Sequence, residues 1–460
     1  MLEKHRPGTL AAKGFAPDAL RALRPGLVYV TPIRQCESMI CRESGNGGAR
    51  RLLFSRQAYT LCTMQADITG NSVYLDYAAT TPVDPRVAQR MLEYMTPEGM
   101  FANPSSVHSA GLRAREAVEA ARGMVADAIG ARVQEIIWTS GATESINLAL
   151  QGVTANGAKQ HVVTCSTEHP ATLDVCAALT GRGVETTYLA PQRNGHLDPQ
   201  QVADAIQPHT TLVTLMHVNN ELGVIHDIAA IGEITRRHGI VLHVDAAQSL
   251  GKVPLDVEAM RIDLLSCTAH KFYGPKGIGA LYVRSHPPVA ITPCTYGGRQ
   301  ERGLRPGTLP TQQIVGMGEA LRIAMLELES DHQRIRALRE QLWHQLHQLG
   351  DVHRNNRDEP CVAGILNVSF DGLSAEDLML EAADIAMSAG SACASGSQHA
   401  SHVLKAIGLS EQRAHGTLRF SLGRFTTAAE IDRAGAAIRR ATEQLRGILS
   451  VPAPSRDGLL

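Results

Sequence analysis

From residue 73 onward the chain alternates between short unbroken apolar runs and stretches whose apolar residues recur every three or four positions. The runs fall at 135–140, 161–166, 211–218, 241–247 and 263–270, and helical spacing fills the intervals at 144–151, 170–180, 199–206 and 227–238. Near-continuous apolar strands separated by helices predict a mostly parallel sheet with both faces covered. Residues 107–130 predict an amphipathic helix with Ser105 or Ser106 as its cap. Val118, Ala121, Val125 and Ile129 share one face of it, and Gly130 ends it. One long helix is expected at 318–349, with Leu321, Met325 and Leu328 turned inward. A second α+β unit follows, with strands at 364–370 and 417–423.

The first 72 residues break this order. Basic residues outnumber acids there, and Gly and Pro interrupt any period, which predicts an irregular or disordered extension. An Arg-rich, acid-poor segment also fits an organelle transit peptide, but no sustained amphipathic helix is visible in it. The expected location is therefore cytoplasmic, with a mitochondrion as the alternative if the segment is a transit peptide. Residues 451–460 are expected to form a flexible tail.

Composition narrows the classes. Apolar residues make up 44% and charged residues 19% of 460, as in an ordinary globular chain with room for two domains. A net charge of -1 gives no electrostatic reason to expect a nucleic-acid or membrane partner, and no apolar run approaches bilayer length. The 9 Cys are odd in number and lack paired spacings; Cys36 and Cys41 form a lone pair with no second pair to complete a metal site. Free thiols and no metal are expected.

In open parallel sheets, ligands bind beyond the carboxyl ends of the strands. The run at 135–140 leads into Ser140-Gly141-Ala142-Thr143-Glu144, whose small residues and helix N-terminus suit a phosphate, although ordinary helix caps look the same. The run at 241–247 carries Asp245, with Gln248 three residues on. Such a carboxylate is either a satisfied cap or the partner of a cationic ligand atom. Lys271 emerges from the last run into a glycine-rich loop, where desolvation would lower its pKa and make it an imine-forming amine. Lys276, deeper in the same turn, is its rival. His169 follows the run at 161–166 and either stacks on a ring or caps a helix. A phosphate cradle, a carboxylate and an imine lysine, each at a strand end, are the set that pyridoxal phosphate requires. Residues 388–402 surround Cys393 with Ser, Ala and Gly, which predicts an exposed, movable thiol rather than the buried, inert cysteine that is commoner.

At these residues the sequence resembles the class V aminotransferase group of pyridoxal-phosphate enzymes, and within it the cysteine desulfurases, with the housekeeping type that feeds iron–sulfur cluster assembly nearest. The likeness rests on YLDYAATTPVDPRV, TSGATES, TEHPATLD, HVNNELGV, HVDAAQSLGK, HKFYGPKGIGALYVR, RPGTLPTQQIVGMGEA, SAGSACASGS and RFSLGRFTTAAEI, in that order, from Tyr74 to about Leu449.

The resemblance implies an α/β chain of fold type I. A mostly parallel seven-stranded sheet would lie in a large domain at 73–325, whose first residues pack on a small α+β domain at 326–450 carrying the loop 388–402. It implies Lys271 as the Schiff-base lysine, Asp245 as partner of the ring nitrogen, His169 stacked on the ring, and Gln248 bonded to the cofactor's phenolic oxygen. Ala142, Thr143, Thr268 and His270 would hold the phosphate, with Thr308 reaching it from the neighbouring subunit of a homodimer. Asn220 would sit beside the cofactor and orient the substrate, and Arg419 would clamp the carboxylate of L-cysteine through its planar fork. Lys271 would then move the α-proton, and the Cys393 thiolate would take the substrate sulfur as a persulfide and leave alanine. Protein acceptors serving iron–sulfur assembly, and tRNA thiolation, would follow. Two departures stand out: Arg299 replaces a common third glycine, and the chain stops soon after Pro454, where relatives continue into a scaffold-docking tail. The rival readings are a selenocysteine lyase or a transaminase on the same fold, and a non-catalytic relative that only binds a partner.

Overall fold

The computed structural model describes residues 72–155, 160–355, 360–389 and 401–449. The expectations for the N-terminal extension, the C-terminal tail and Cys393 fall outside these residues. The chain enters through a short strand, β1 (Val73–Tyr74), and then builds a seven-stranded sheet. Its strands are β2 (Ile136–Thr139), β3 (His161–Cys165), β4 (Glu185–Leu189), β5 (Thr210–Met216), β6 (Val241–Asp245), β7 (Leu264–Thr268) and β8 (Gly279–Val283). The order across the sheet is β2-β8-β7-β6-β5-β3-β4, and only β8 runs against its neighbours.

The unbroken apolar runs follow from this architecture. Successive side chains point to opposite faces, and here both faces are covered, so both parities must be apolar. Val163, Leu265 and Ile136 join one core, and their neighbours Val162, Leu264 and Ile137 join the core on the other face. Each such side chain contributes about 1.5–3 kcal/mol by leaving water. Two strands lie outside the predicted runs. β4 is an edge strand with polar Thr186 and Thr187 and an exposed Tyr188. β8 is apolar and buried at every position, a run of the same kind that was not among those predicted.

A four-stranded antiparallel sheet follows, in the order β12-β13-β10-β9. It comprises β9 (Val352–Arg354), β10 (Ile365–Phe370), β12 (Ser388–Ala389) and β13 (Thr417–Ser421), while β11 (Ile385–Ala386) pairs with β1. Helices Leu328–His347 and Ala428–Leu449 accompany a separate apolar core that includes Leu342, Leu366, Phe370, Phe420 and Ile438. After β1 the chain crosses back, so that Asp76 bridges Ser421 and the carbonyls of Ala78 and Ala79 reach Lys271.

Two helices differ from expectation. The first spans Ser109–Ala128 and is capped by His108, whose Nδ1 accepts from the Gly111 N–H at 3.2 Å. Ser105 and Ser106 instead close a turn on Asn103, which leaves them outside the helix. The long helix is two, Thr311–Leu326 and Leu328–His347, broken at Glu327. Arg86 and Arg424 hold the Glu327 carboxylate there. Leu321 is buried as expected, but the break leaves Met325 exposed and Leu328 only partly covered.

Candidate active site

The carboxyl ends of β3, β5, β6 and β7 and the turn after β2 open into one cleft of about 490 Å³, within the usual range for a small-molecule site. It is lined by Ala142, Thr143, His169, Asn220, Asp245, Gln248, Thr268, His270, Lys271 and Arg419. Thr308 stands apart: it is exposed, in a neighbouring concavity with Arg305 and Glu144, and Glu144 borders both spaces. Cys393 lies outside the described residues, but both flanks are tied to the rim. Ser388 accepts from Arg419 at 3.2 Å, and His402 Nε2 lies 3.0 Å from the Glu168 carbonyl, next to His169.

The cradle forms where β2 turns into the helix Ala142–Val153. Its first N–H groups have no partner within the helix and carry the positive end of its dipole. Gly141 adopts φ 155°, and a side chain on Gly279 would strike the Gly141 Cα at 2.6 Å, so bare backbone is what lets the two segments approach. Glu144 puts a negative charge close by, but Arg305 pairs with it at 2.9 Å. Burial alone would raise the Glu144 carboxyl; bonds from Arg305 and the Ser140 N–H outweigh it and lower it. Thr268 donates to the Ile278 carbonyl at 3.2 Å and keeps its lone pairs, while His270 Nδ1 lies 3.1 Å from the Thr80 hydroxyl. Burial, then the charges of Lys271, Lys276 and Lys252, pushes His270 down to about 4.

Asp245 closes β6. Its Oδ1 accepts from the Ala247 N–H at 2.8 Å, and burial pushes the carboxyl up to about 6 against the opposing pull of Lys271. A buried carboxyl with one local bond is therefore a cap and, in addition, a ready acceptor for a cationic N–H in the cleft. Lys271 ends the turn Ala269–Lys271 and donates to the carbonyls of Ala78 at 2.7 Å and Ala79 at 2.8 Å. Its rival Lys276 also borders the cleft but is exposed.

His169 takes the capping role. It caps the helix Pro170–Thr180 through Nδ1, which accepts from the Ala171 N–H at 3.1 Å. That bond requires the tautomer with its proton on Nε2. Burial, then Lys271 and His402, lowers its pKa and keeps the ring neutral. Arg419 lies on β13 and is buried. It donates to Asp76 Oδ1 at 2.9 Å and to the Asn220 carbonyl at 2.9 Å, yet its Nε has no hydrogen-bond partner among the described residues.

Three contributors escaped the sequence reading: Asp76, Arg305 and Lys252. All three lie inside the motifs YLDYAATTPVDPRV, RPGTLPTQQIVGMGEA and HVDAAQSLGK, so the signal was present without a role attached. Arg299 is exposed and does not border the cleft.

This donor set fits pyridoxal phosphate: a helix N-terminus for the phosphate, a buried carboxyl for the ring nitrogen, an amide for the phenolic oxygen and an amine for the aldehyde. The orphaned Arg419 Nε fits a substrate carboxylate. Similarity to known proteins agrees. Residues 73–434 match the family described as aminotransferase class-V. The chain is 54% identical over 379 residues to the cysteine desulfurase IscS of Tolumonas auensis, covering 82% of this chain and 94% of that one. Among solved structures it resembles a NifS-like protein, with TM-score 0.75 and 34% identity over 82% of this chain and all of the other. It also resembles a structure described as SspA in complex with cysteine, with TM-score 0.69 and 39% identity over 77% of this chain and 100% of that one. The chain thus belongs to the class-V aminotransferase family of pyridoxal-phosphate enzymes and stands among its cysteine desulfurases.

Proposed function

We propose that the chain is a cysteine desulfurase that converts L-cysteine to L-alanine and takes the sulfur onto Cys393 as a persulfide. The observation that carries the reading is the meeting of Lys271, Asp245, the cradle at Ala142 and Thr143, and Arg419 in one cleft. Bound there, pyridoxal phosphate supplies an aldehyde that condenses with amines and a ring that draws electrons from the substrate's Cα. Asp245, ionised beside a cationic ring nitrogen, sustains that pull. Arg419 would hold the substrate carboxylate, with Asp76 fixing the guanidinium. Lys271 would hold the cofactor's aldehyde, and its Nζ would serve to take the proton from the substrate's Cα. His169 keeps a neutral ring over the cleft and holds a proton at Nε2.

The sulfur step balances without an outside reductant. The C–S bond of cysteine breaks, an S–S bond forms to Cys393, and Cβ gains the electron pair and a proton to become the methyl group of alanine. Cys393 lies five residues beyond Ser388, a tether of at most about 17 Å. Thr308, on a separate concavity bordered by Glu144, supports a homodimer in which it serves the cradle of the other copy. Exposed Phe101, Val107 and Tyr296 supply apolar surface for such an assembly. Sulfur acceptors of the iron–sulfur assembly class complete the reading. A reducing cytoplasm suits free Cys165, Cys176, Cys267, Cys294 and Cys361, and no helix among the described residues is long and apolar enough to cross a membrane.

The test is product analysis with wild type and Cys393→Ala. Wild type should yield alanine and protein-bound persulfide from cysteine, and the variant should lose both. Full turnover by the variant would contradict the persulfide route.

A further inference from the structure

Beneath the cleft lies a second lysine that the reading above does not use. Lys252 follows Gln248 by four residues and lines a separate space with Tyr77, Tyr273 and Ile365. Its Nζ donates to Gln248 Oε1 at 2.7 Å, the one side-chain bond it makes among the described residues. Gln248 in turn donates through Nε2 to the Ala78 carbonyl at 2.7 Å, and Lys271 donates to that same carbonyl at 2.7 Å. The two lysines are thus joined through one amide and one carbonyl.

This arrangement decides which way the amide faces. An ammonium only donates and a carbonyl only accepts, so Oε1 must turn to Lys252 and Nε2 to Ala78. The second N–H of Nε2 is then left for the cleft, and no acceptor oxygen of Gln248 is presented there. Without Lys252 one of the two locks is gone and Oε1 is buried without a partner, which favours turning the amide away.

We infer that Lys252 is a positioning residue for the reaction: it fixes the Gln248 amide so that the cofactor's phenolic oxygen meets an N–H donor, and adds positive charge beneath Lys271. The inference rests on cofactor binding in the cleft as read above. Burial, with Lys271 and Arg419 as like charges, pulls Lys252 down to about 7; a neutral amine still donates an N–H to Oε1, and an anionic oxygen in the cleft favours the charged form. The other groups around Lys271 are Asp245, His169, His270, Lys276, Arg419 and Glu144. None of them is altered in the variants below.

The experiment is a pH titration of the visible band of the purified, cofactor-loaded protein, with thermal unfolding measured alongside. A donor at the phenolic oxygen and a nearby cation both disfavour the proton on the lysine-linked nitrogen. Lys252→Met should therefore raise the midpoint by about 0.5–1 pH unit. Lys252→Arg, which keeps charge and donor, should leave it near wild type. If Lys252→Met does not fold, Lys252→Gln removes the charge alone and should still raise the midpoint. An unmoved midpoint in the folded charge-removing variant, with or without a fall in thermal stability, overturns the inference and leaves the function standing. A wild-type protein without any visible band overturns both.

Discussion

Arg419 Nη2 and Asp76 Oδ1 lie 2.9 Å apart across 343 residues of sequence, and that contact holds a buried guanidinium at the border of the cleft. Asp76 also accepts from the Ser388 hydroxyl at 2.8 Å, which ties the clamp to the last described strand before Cys393. A charge-assisted bond is worth about 1.5–3 kcal/mol. Arg419→Ala should therefore raise KM for cysteine about 10–100-fold, and Asp76→Asn should raise it less, each with the visible cofactor band intact. Steady-state kinetics with absorption spectra check this, and an unchanged KM in Arg419→Ala would remove the clamp.

Asp245 makes the cofactor-free chain less stable at neutral pH. Its folded pKa, about 6, lies above its ordinary 3.8, so its favourable contribution is complete below pH 3.8 and is lost as the pH rises through about 6. The two-unit difference corresponds to about 3 kcal/mol. Asp245→Asn should stabilise the cofactor-free protein at pH 7.5, match wild type near pH 3.5, and bind the cofactor more weakly. Chemical unfolding across that range measures the difference; equal stability at pH 7.5 would contradict it.

His169 caps a helix, and the proposed function gives its ring a chemical role as well; one pair of variants separates the two. Asn keeps a capping acceptor for the helix Pro170–Thr180, and Ala removes it at about 1 kcal/mol. Both variants remove the ring. His169→Asn should unfold near the wild-type temperature while losing activity as severely as His169→Ala. Comparable activity in His169→Asn and wild type would reduce His169 to a cap.

Glu301 anchors the segment that carries Arg305 and Thr308. Its carboxylate accepts from Arg122 at 2.7 and 2.9 Å and from the Trp138 N–H at 2.7 Å, and holds the backbone at φ 46°. Without it Arg122 keeps Glu119 and the Ile136 carbonyl, but the Trp138 N–H loses its acceptor, at about 1–3 kcal/mol. Glu301→Ala should unfold at markedly lower denaturant, followed by the fluorescence of buried Trp138.

The sheet and its ligand edge were legible because burial on both faces forces apolar residues at every position, and the runs end where Asp245 and Lys271 begin to matter. β4 escaped because an edge strand can keep polar Thr186 and Thr187, and the single helix expected at 318–349 failed because nothing local marks the break at Glu327. Arg86 and Arg424, which hold that carboxylate, come from far along the chain. The same holds for Arg305 on Glu144, 161 residues apart. Periodicity reports what a segment buries; it is silent about which distant partner completes a charge. Lys252 was visible in its motif but has no meaning until the Ala78 carbonyl is seen on the other side of Gln248.

The central claim is that Lys271 Nζ carries the cofactor. Borohydride reduction of the purified protein, followed by proteolysis and mass mapping, tests it most directly. The account predicts a single reduced adduct on the peptide containing Lys271, absent in Lys271→Ala. An adduct on Lys276 or Lys252, or none on any lysine, would contradict it.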